Sequence, residues 1–102
     1  MAIKKKYLTS KPICKVTFEV PKKAAENANT IHLVGDFNGW DTARTPLQRR
    51  KSGSFNVTVD LETGRDYQYR YLIDGESWDN DWAADRYTGS HIPGVENSVV
   101  AV

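Results

Sequence analysis

The sequence predicts an all-β antiparallel sandwich, and three observations carry that prediction. Stretches centred on residues 13–20, 31–33, 55–61 and 67–73 alternate apolar and polar side chains with the period of two that a half-buried strand imposes. Turn-forming pairs punctuate the chain at Asn38-Gly39, Ser52-Gly53, Thr63-Gly64, Asp74-Gly75 and Pro93-Gly94, each able to supply a positive or preset φ. No helical period survives more than two turns. Strands about a dozen residues apart with such punctuation fit two packed antiparallel sheets.

The elements follow in order. The first 12 residues, with Lys4, Lys5, Lys6 and Lys11, read as a basic, solvated N-terminal arm, and residues 13–102 as one domain. In ICKVTFEV, Cys14, Val16, Phe18 and Val20 share one face and Lys15, Thr17 and Glu19 the other, so the single cysteine packs as a small hydrophobe and no disulfide forms. Residues 21–29 carry three alanines and read as a loop. Ile31 and Leu33 mark a further strand, and a short strand is expected near Leu47. Phe55, Val57, Val59 and Leu61 line the inner face of the next run, followed by Tyr67, Tyr69, Tyr71 and Ile73. The acids of 74–85 read as a solvated loop, and SVVAV closes the chain.

Composition narrows the function. With 39% hydrophobic and 26% charged residues, the chain suits one compact domain rather than disorder. The net charge of +1 lacks the basic excess of a nucleic-acid binder. No apolar run approaches the roughly 20 residues of a bilayer span, and a polar stretch stands where a signal peptide would be apolar. No membrane partner is expected, and the cytoplasm is the expected location.

The tryptophans carry the functional signal. Trp40 and Trp78 each follow a turn, Trp82 lies four residues further on, and all three fall outside the alternating core runs. Trp82 is expected to fold back over the open edge of the core, and Trp40 and Trp78 to remain partly exposed. Exposed aromatics imply a partner. A flat indole suits the C–H face of a glucopyranose ring, and covering about 80 Å² is worth about 2 kcal/mol. Arg70 has the opposite parity to the tyrosine row, so its donors lie on the outer face of that strand. Asn97, beside the last strand, adds an amide.

The series VGDFNGW, a strand ending in YRYLIDG, a Trp three residues later, and ENSVVAV near the end resembles the glycogen-binding domains of carbohydrate-binding module family 48. These occur at the N-termini of isoamylases and branching enzymes and in the β subunit of the AMP-activated protein kinase. The resemblance covers residues 14–102. It implies an immunoglobulin-like early-set sandwich whose partner is an α-1,4-glucan or maltooligosaccharide, such as glycogen or starch chains. It places the stacking residues at Trp40 and Trp78, the hydrogen-bonding cation at Arg70 and the amide at Asn97. The apolar residue that enters the sugar helix falls on Ile92 or Pro93 in HIPG. The insertion DGESWDNDW adds acids and Trp82 beside this site. The alternative function is a protein-interaction sandwich that docks onto a glycogen-metabolising enzyme.

Other chemistry is set aside. The family's enzymes carry a separate barrel, which takes about 250 residues and does not fit in this chain. Hydrolysis needs two facing carboxylates, and among Asp36, Asp79 and Asp81 the first is expected to bond the backbone of its own turn. Asp79-Asn80-Asp81 lacks the glycine and distal glutamate of a calcium loop, and Cys14, His32 and His91 are too far apart in sequence to suggest a zinc site. No cofactor or metal is expected.

Overall fold

The computed structural model describes residues 1–102. Nine strands form the domain: β1 (Ala2–Tyr7), β2 (Ile13–Val20), β3 (Ile31–Gly35), β4 (Gln48–Arg49), β5 (Phe55–Glu62), β6 (Asp66–Ile73), β7 (Ser77–Asp79), β8 (Arg86–Gly89) and β9 (Glu96–Ala101). One antiparallel sheet has the order β1-β2-β5-β4 and the other β3-β6-β9-β8, with β7 also paired to β6. The result is the sandwich that the alternation predicts, of immunoglobulin-like early-set type. No helix is long and apolar enough to cross a membrane.

The inward parity is the one read from the sequence. Cys14, Val16, Phe18 and Val20 are buried on β2 and face Ile31, Leu33, Tyr67, Tyr69, Tyr71 and Val100 of the other sheet. Phe18 meets Tyr69 edge-on at 5.1 Å between ring centroids, and Tyr69 meets Tyr71 in the same manner at 6.0 Å, the geometry that the ring quadrupoles favour. Val34, Leu72 and Val99 have the opposite parity and are nevertheless buried. The outer face of the second sheet therefore buries apolar side chains beside the polar Gln68, Arg70 and Asn97 of the same parity. Leu33-Val34, Tyr71-Leu72 and Val99-Val100 are consecutive apolar pairs, the pattern of strands covered on both faces.

Two regions differ from the sequence reading. The lysine cluster is not on a free arm, because β1 pairs with β2 from Ala2–Glu19 to Tyr7–Cys14. Ile3 and Met1 pack against the core, and Lys5 spans the seam between the sheets to Asp85 at 2.7 Å. Lysines on this open edge also oppose further strand pairing. The second difference is the acidic segment, where three carboxylates are fastened rather than merely solvated. Asp81 is fully buried: one oxygen accepts the hydroxyls of Tyr69 (2.9 Å) and Tyr71 (3.2 Å), and the other accepts the Ala83 N–H. Burial first, and then the adjacent Asp81 carboxylate, pushes both phenols well above the ordinary tyrosine pKa, so they stay protonated donors.

Asp74 and Asp85 fasten the edges. Hydrogen bonds from the backbone N–H groups of Thr30 and Asn29 hold the Asp74 carboxyl below the ordinary value of 3.8. For Asp85, burial alone would raise the pKa, but the Ala101 N–H and the Lys5 ammonium outweigh it and the net shift is downward. A carboxylate with a depressed folded pKa contributes its stability fully above the unfolded value and loses it as the pH falls through the folded one. The melting temperature is therefore expected to hold steady from neutrality to about pH 4 and to fall below it. The double variant Asp74→Asn, Asp85→Asn should show a flatter acid limb in thermal melts. An acid limb as steep as that of the parent would contradict the assignment.

Candidate functional site

The stretch VGDFNGW folds so that each residue serves the presentation of the last. Gly35 lies against β6, where a Cβ would come within 2.5 Å of the Gln68 carbonyl oxygen and 2.7 Å of the Tyr69 Cβ. Asp36–Asn38 form one 3-10 turn. Phe37 turns inward among Phe18, Tyr67 and Tyr69. Asn38 is buried and satisfied, accepting from the Gly35 N–H and donating to the Leu33 carbonyl and the Thr45 hydroxyl. Gly39 and Trp40 then both take left-handed backbone, with φ of 67° and 57°. That conformation costs a non-glycine residue about 1 to 2 kcal/mol, so Trp40 is held there by its surroundings. Its N–H donates to the Gly35 carbonyl at 2.9 Å, and its indole Nε1 donates to Asp36 Oδ1 at 2.9 Å.

Trp78 arrives by a different route. Asp74-Gly75, with φ of 53° and 71°, makes the tight reversal from β6 into β7 and is closed by the Glu76 N–H on the Ile73 carbonyl. The register then sets Trp78 beside Leu72 on the outer face of the second sheet. The Arg70 guanidinium lies 5.7 Å from the Trp78 ring centroid, a cation–π contact that fixes the arginine. Arg70 Nε is buried and has no protein partner. Across the sheet, Asn97 Nδ2 donates to Gln68 Oε1 at 3.0 Å, which leaves the Asn97 carbonyl and the Gln68 amide group with capacity to spare.

These side chains share one cleft of 540 Å³ on the outer face of the second sheet. The structure brings Trp40, Arg70, Trp78, Asn97 and Ile92 together in its lining, and Pro93 is not among the lining residues. Ile92 is 63% exposed in the loop from β8 to β9. Ser90 braces that loop, its hydroxyl accepting the Ile92 N–H and donating to the Ile92 carbonyl. Trp40 is half-buried and Trp78 is 43% exposed.

Sequence reasoning missed three features of this region. Trp82 does not cap the core: it is 62% exposed and lies outside the cleft, while its neighbour Asp81 points inward to serve the tyrosine hydroxyls. Asp36 does not bond the backbone of its own turn as expected: Oδ1 accepts the Trp40 indole N–H and Oδ2 accepts the backbone N–H of Gln68 on β6 at 2.8 Å. Gln68 itself lines the cleft, and its parity with Arg70 was the available signal. Of the three acids considered for hydrolysis, Asp36 alone lines the cleft.

A sandwich that gathers aromatic rings and side-chain amides into one open cleft has the architecture of a binding module. The family model for carbohydrate-binding module 48, the isoamylase N-terminal domain, matches residues 16–88, and the chain belongs to that family. Similar proteins include the 1,4-alpha-glucan branching enzymes of Photobacterium profundum (39% identical over 46 residues, 44% of this chain and 6% of the enzyme) and Aquifex aeolicus (44% over 48 residues, 44% of this chain and 8% of the enzyme). The branching enzyme of Butyrivibrio fibrisolvens is 33% identical over 63 residues, 62% of this chain and 10% of the enzyme. The matched stretch is thus a tenth or less of each of these relatives.

Proposed function

We propose that the chain is a non-catalytic, cytoplasmic α-glucan-binding module that stacks glucose rings on Trp40 and Trp78. Arg70 and Asn97 meet the sugar hydroxyls, and Ile92 adds an apolar contact from its loop. The observation that carries this reading is the convergence in one cleft of five residues spread from position 40 to position 97. Each stacked ring contributes about 2 kcal/mol from apolar burial, which gives a micromolar to millimolar dissociation constant once association entropy is subtracted. The matched relatives are named for 1,4-alpha-glucan, which supports the same ligand class here. Arg70 is the one arginine or lysine in the lining, a charge pattern suited to a neutral polyol rather than to nucleic acid. Asp36 spends both oxygens on internal hydrogen bonds and faces no second cleft carboxylate, which supports binding without hydrolysis.

Titration with maltoheptaose or β-cyclodextrin is expected to change the intrinsic tryptophan fluorescence saturably, because stacking alters the indole environment. No change up to several tens of millimolar, beyond the weak-affinity range, would sink the reading.

A further inference from the structure

We propose that Asp36 is a positioning residue of the cleft, tying the Trp40 platform to the strand that carries its polar partners. The inference rests on the glucan-binding reading above and adds a residue that acts on the sugar through another side chain. One carboxylate oxygen takes the Trp40 indole N–H at 2.9 Å and the other takes the Gln68 backbone N–H at 2.8 Å. A single side chain thereby sets the indole relative to β6, whose Gln68 and Arg70 line the same cleft.

The geometry is suited to this task. A hydrogen bond to the indole Nε1 lies in the plane of the ring, so the anchor does not compete with a sugar for either ring face. An anionic acceptor is stronger than a neutral one and compensates for the exposure of Asp36 to water. The anchor also answers the backbone: Trp40 sits at φ 57°, in a region that bulky residues rarely occupy, directly after Gly39 at φ 67°. The backbone of the turn is held by the Trp40 N–H on the Gly35 carbonyl and by Asn38, and Asp36 adds the hydrogen bond on the indole itself, without which the ring would be free to leave its place in the cleft wall.

Asparagine at position 36 has one acceptor oxygen for two donors, since its amide nitrogen would face an N–H group. Alanine has none. The test has two readouts, the ligand-free ¹⁵N relaxation of the indole Nε1–H groups and the affinity for maltoheptaose, each measured on the parent, Asp36→Asn and Asp36→Ala. In Asp36→Ala the order parameter of the Trp40 indole Nε1–H is expected to fall, while that of Trp78 is unchanged. The maltoheptaose dissociation constant should rise roughly fivefold to tenfold, the scale of one lost hydrogen bond, with Asp36→Asn between the two proteins. A merely structural aspartate would lower the melting temperature and leave the folded-state order of Trp40 unchanged, which overturns the proposal. Binding within twofold of the parent in Asp36→Ala overturns it as well. If Asp36→Ala does not fold, Asp36→Asn decides on the same two readouts. A parent protein that binds no maltoheptaose refutes the glucan reading instead, and the relaxation data still show whether Asp36 holds the indole.

Discussion

Replacing Asp81 by alanine is expected to destabilise the domain by about 3 to 5 kcal/mol, the sum of two buried hydroxyls left unpaired and a cavity, a large part of the 5 to 15 kcal/mol typical of such folds. The Asp81 carboxyl group is fully buried, and its oxygens accept hydrogen bonds from the hydroxyls of Tyr69 and Tyr71 and from the Ala83 N–H. Both tyrosines are themselves fully buried, so truncating Asp81 leaves two hydroxyls without an acceptor, each costing about 1 to 3 kcal/mol, and opens a cavity. The segment around it would also loosen, because the Asp81 N–H is held by the Ser98 hydroxyl and its carbonyl by Tyr87. Urea denaturation measures the loss. Tyr71→Phe removes only one donor and should cost about 1 kcal/mol. A loss below about 1 kcal/mol for Asp81→Ala would show that the tyrosine hydroxyls do not depend on this carboxyl group.

Trp40→Ala and Trp78→Ala should each weaken maltoheptaose binding by about 1 to 2 kcal/mol, the value of one stacked ring, and the double variant should bind too weakly to detect. Neither single change should approach the about 3 to 5 kcal/mol of stability lost on truncating a core aromatic, because each indole is only partly covered. Trp78→Ala carries a second effect: Arg70 loses the ring it packs on and gains freedom that must be lost again on binding. Trp82→Ala should change binding and stability little, since that side chain is exposed and outside the cleft. Glycogen pull-downs beside thermal melts of the three variants separate these outcomes. Full binding by Trp40→Ala, with a melt like that of a core variant, would mean that VGDFNGW ends in tryptophan for packing.

Much of the sandwich was legible because a strand buried on one face writes its parity into the sequence, as ICKVTFEV and DYQYRYLI do. β1 was not, because after Ile3 its inward position is taken by Lys5, whose partner Asp85 lies 80 residues away. Trp82 and Asp81 were read in reverse for a related reason. Hydropathy sends the indole inward and the acid outward, but a buried row of tyrosines creates hydroxyls that need an acceptor, and that demand outweighs the cost of burying one carboxylate. The tyrosine row was itself the available clue. At the cleft, parity placed Arg70 on the outer face and the turns placed Trp40 and Trp78 near it. The roles of Asp36 and Gly35 depend on contacts with β6 more than thirty residues away, and local spacing does not show these.

Glucan stacking on Trp40 and Trp78 is measured most directly by a maltoheptaose titration followed by the three indole Nε1–H resonances in ¹H–¹⁵N NMR spectra. Trp40 and Trp78 flank the cleft and Trp82 lies outside it, so the three signals report separately on site and surface. The expected result is a saturable shift of the Trp40 and Trp78 resonances with a single dissociation constant in the micromolar to millimolar range, while Trp82 stays in place. Saturable binding that moves Trp82 and leaves Trp40 and Trp78 unmoved would place the site elsewhere, and no movement of any of the three up to several tens of millimolar sugar would mean that the cleft binds no glucan.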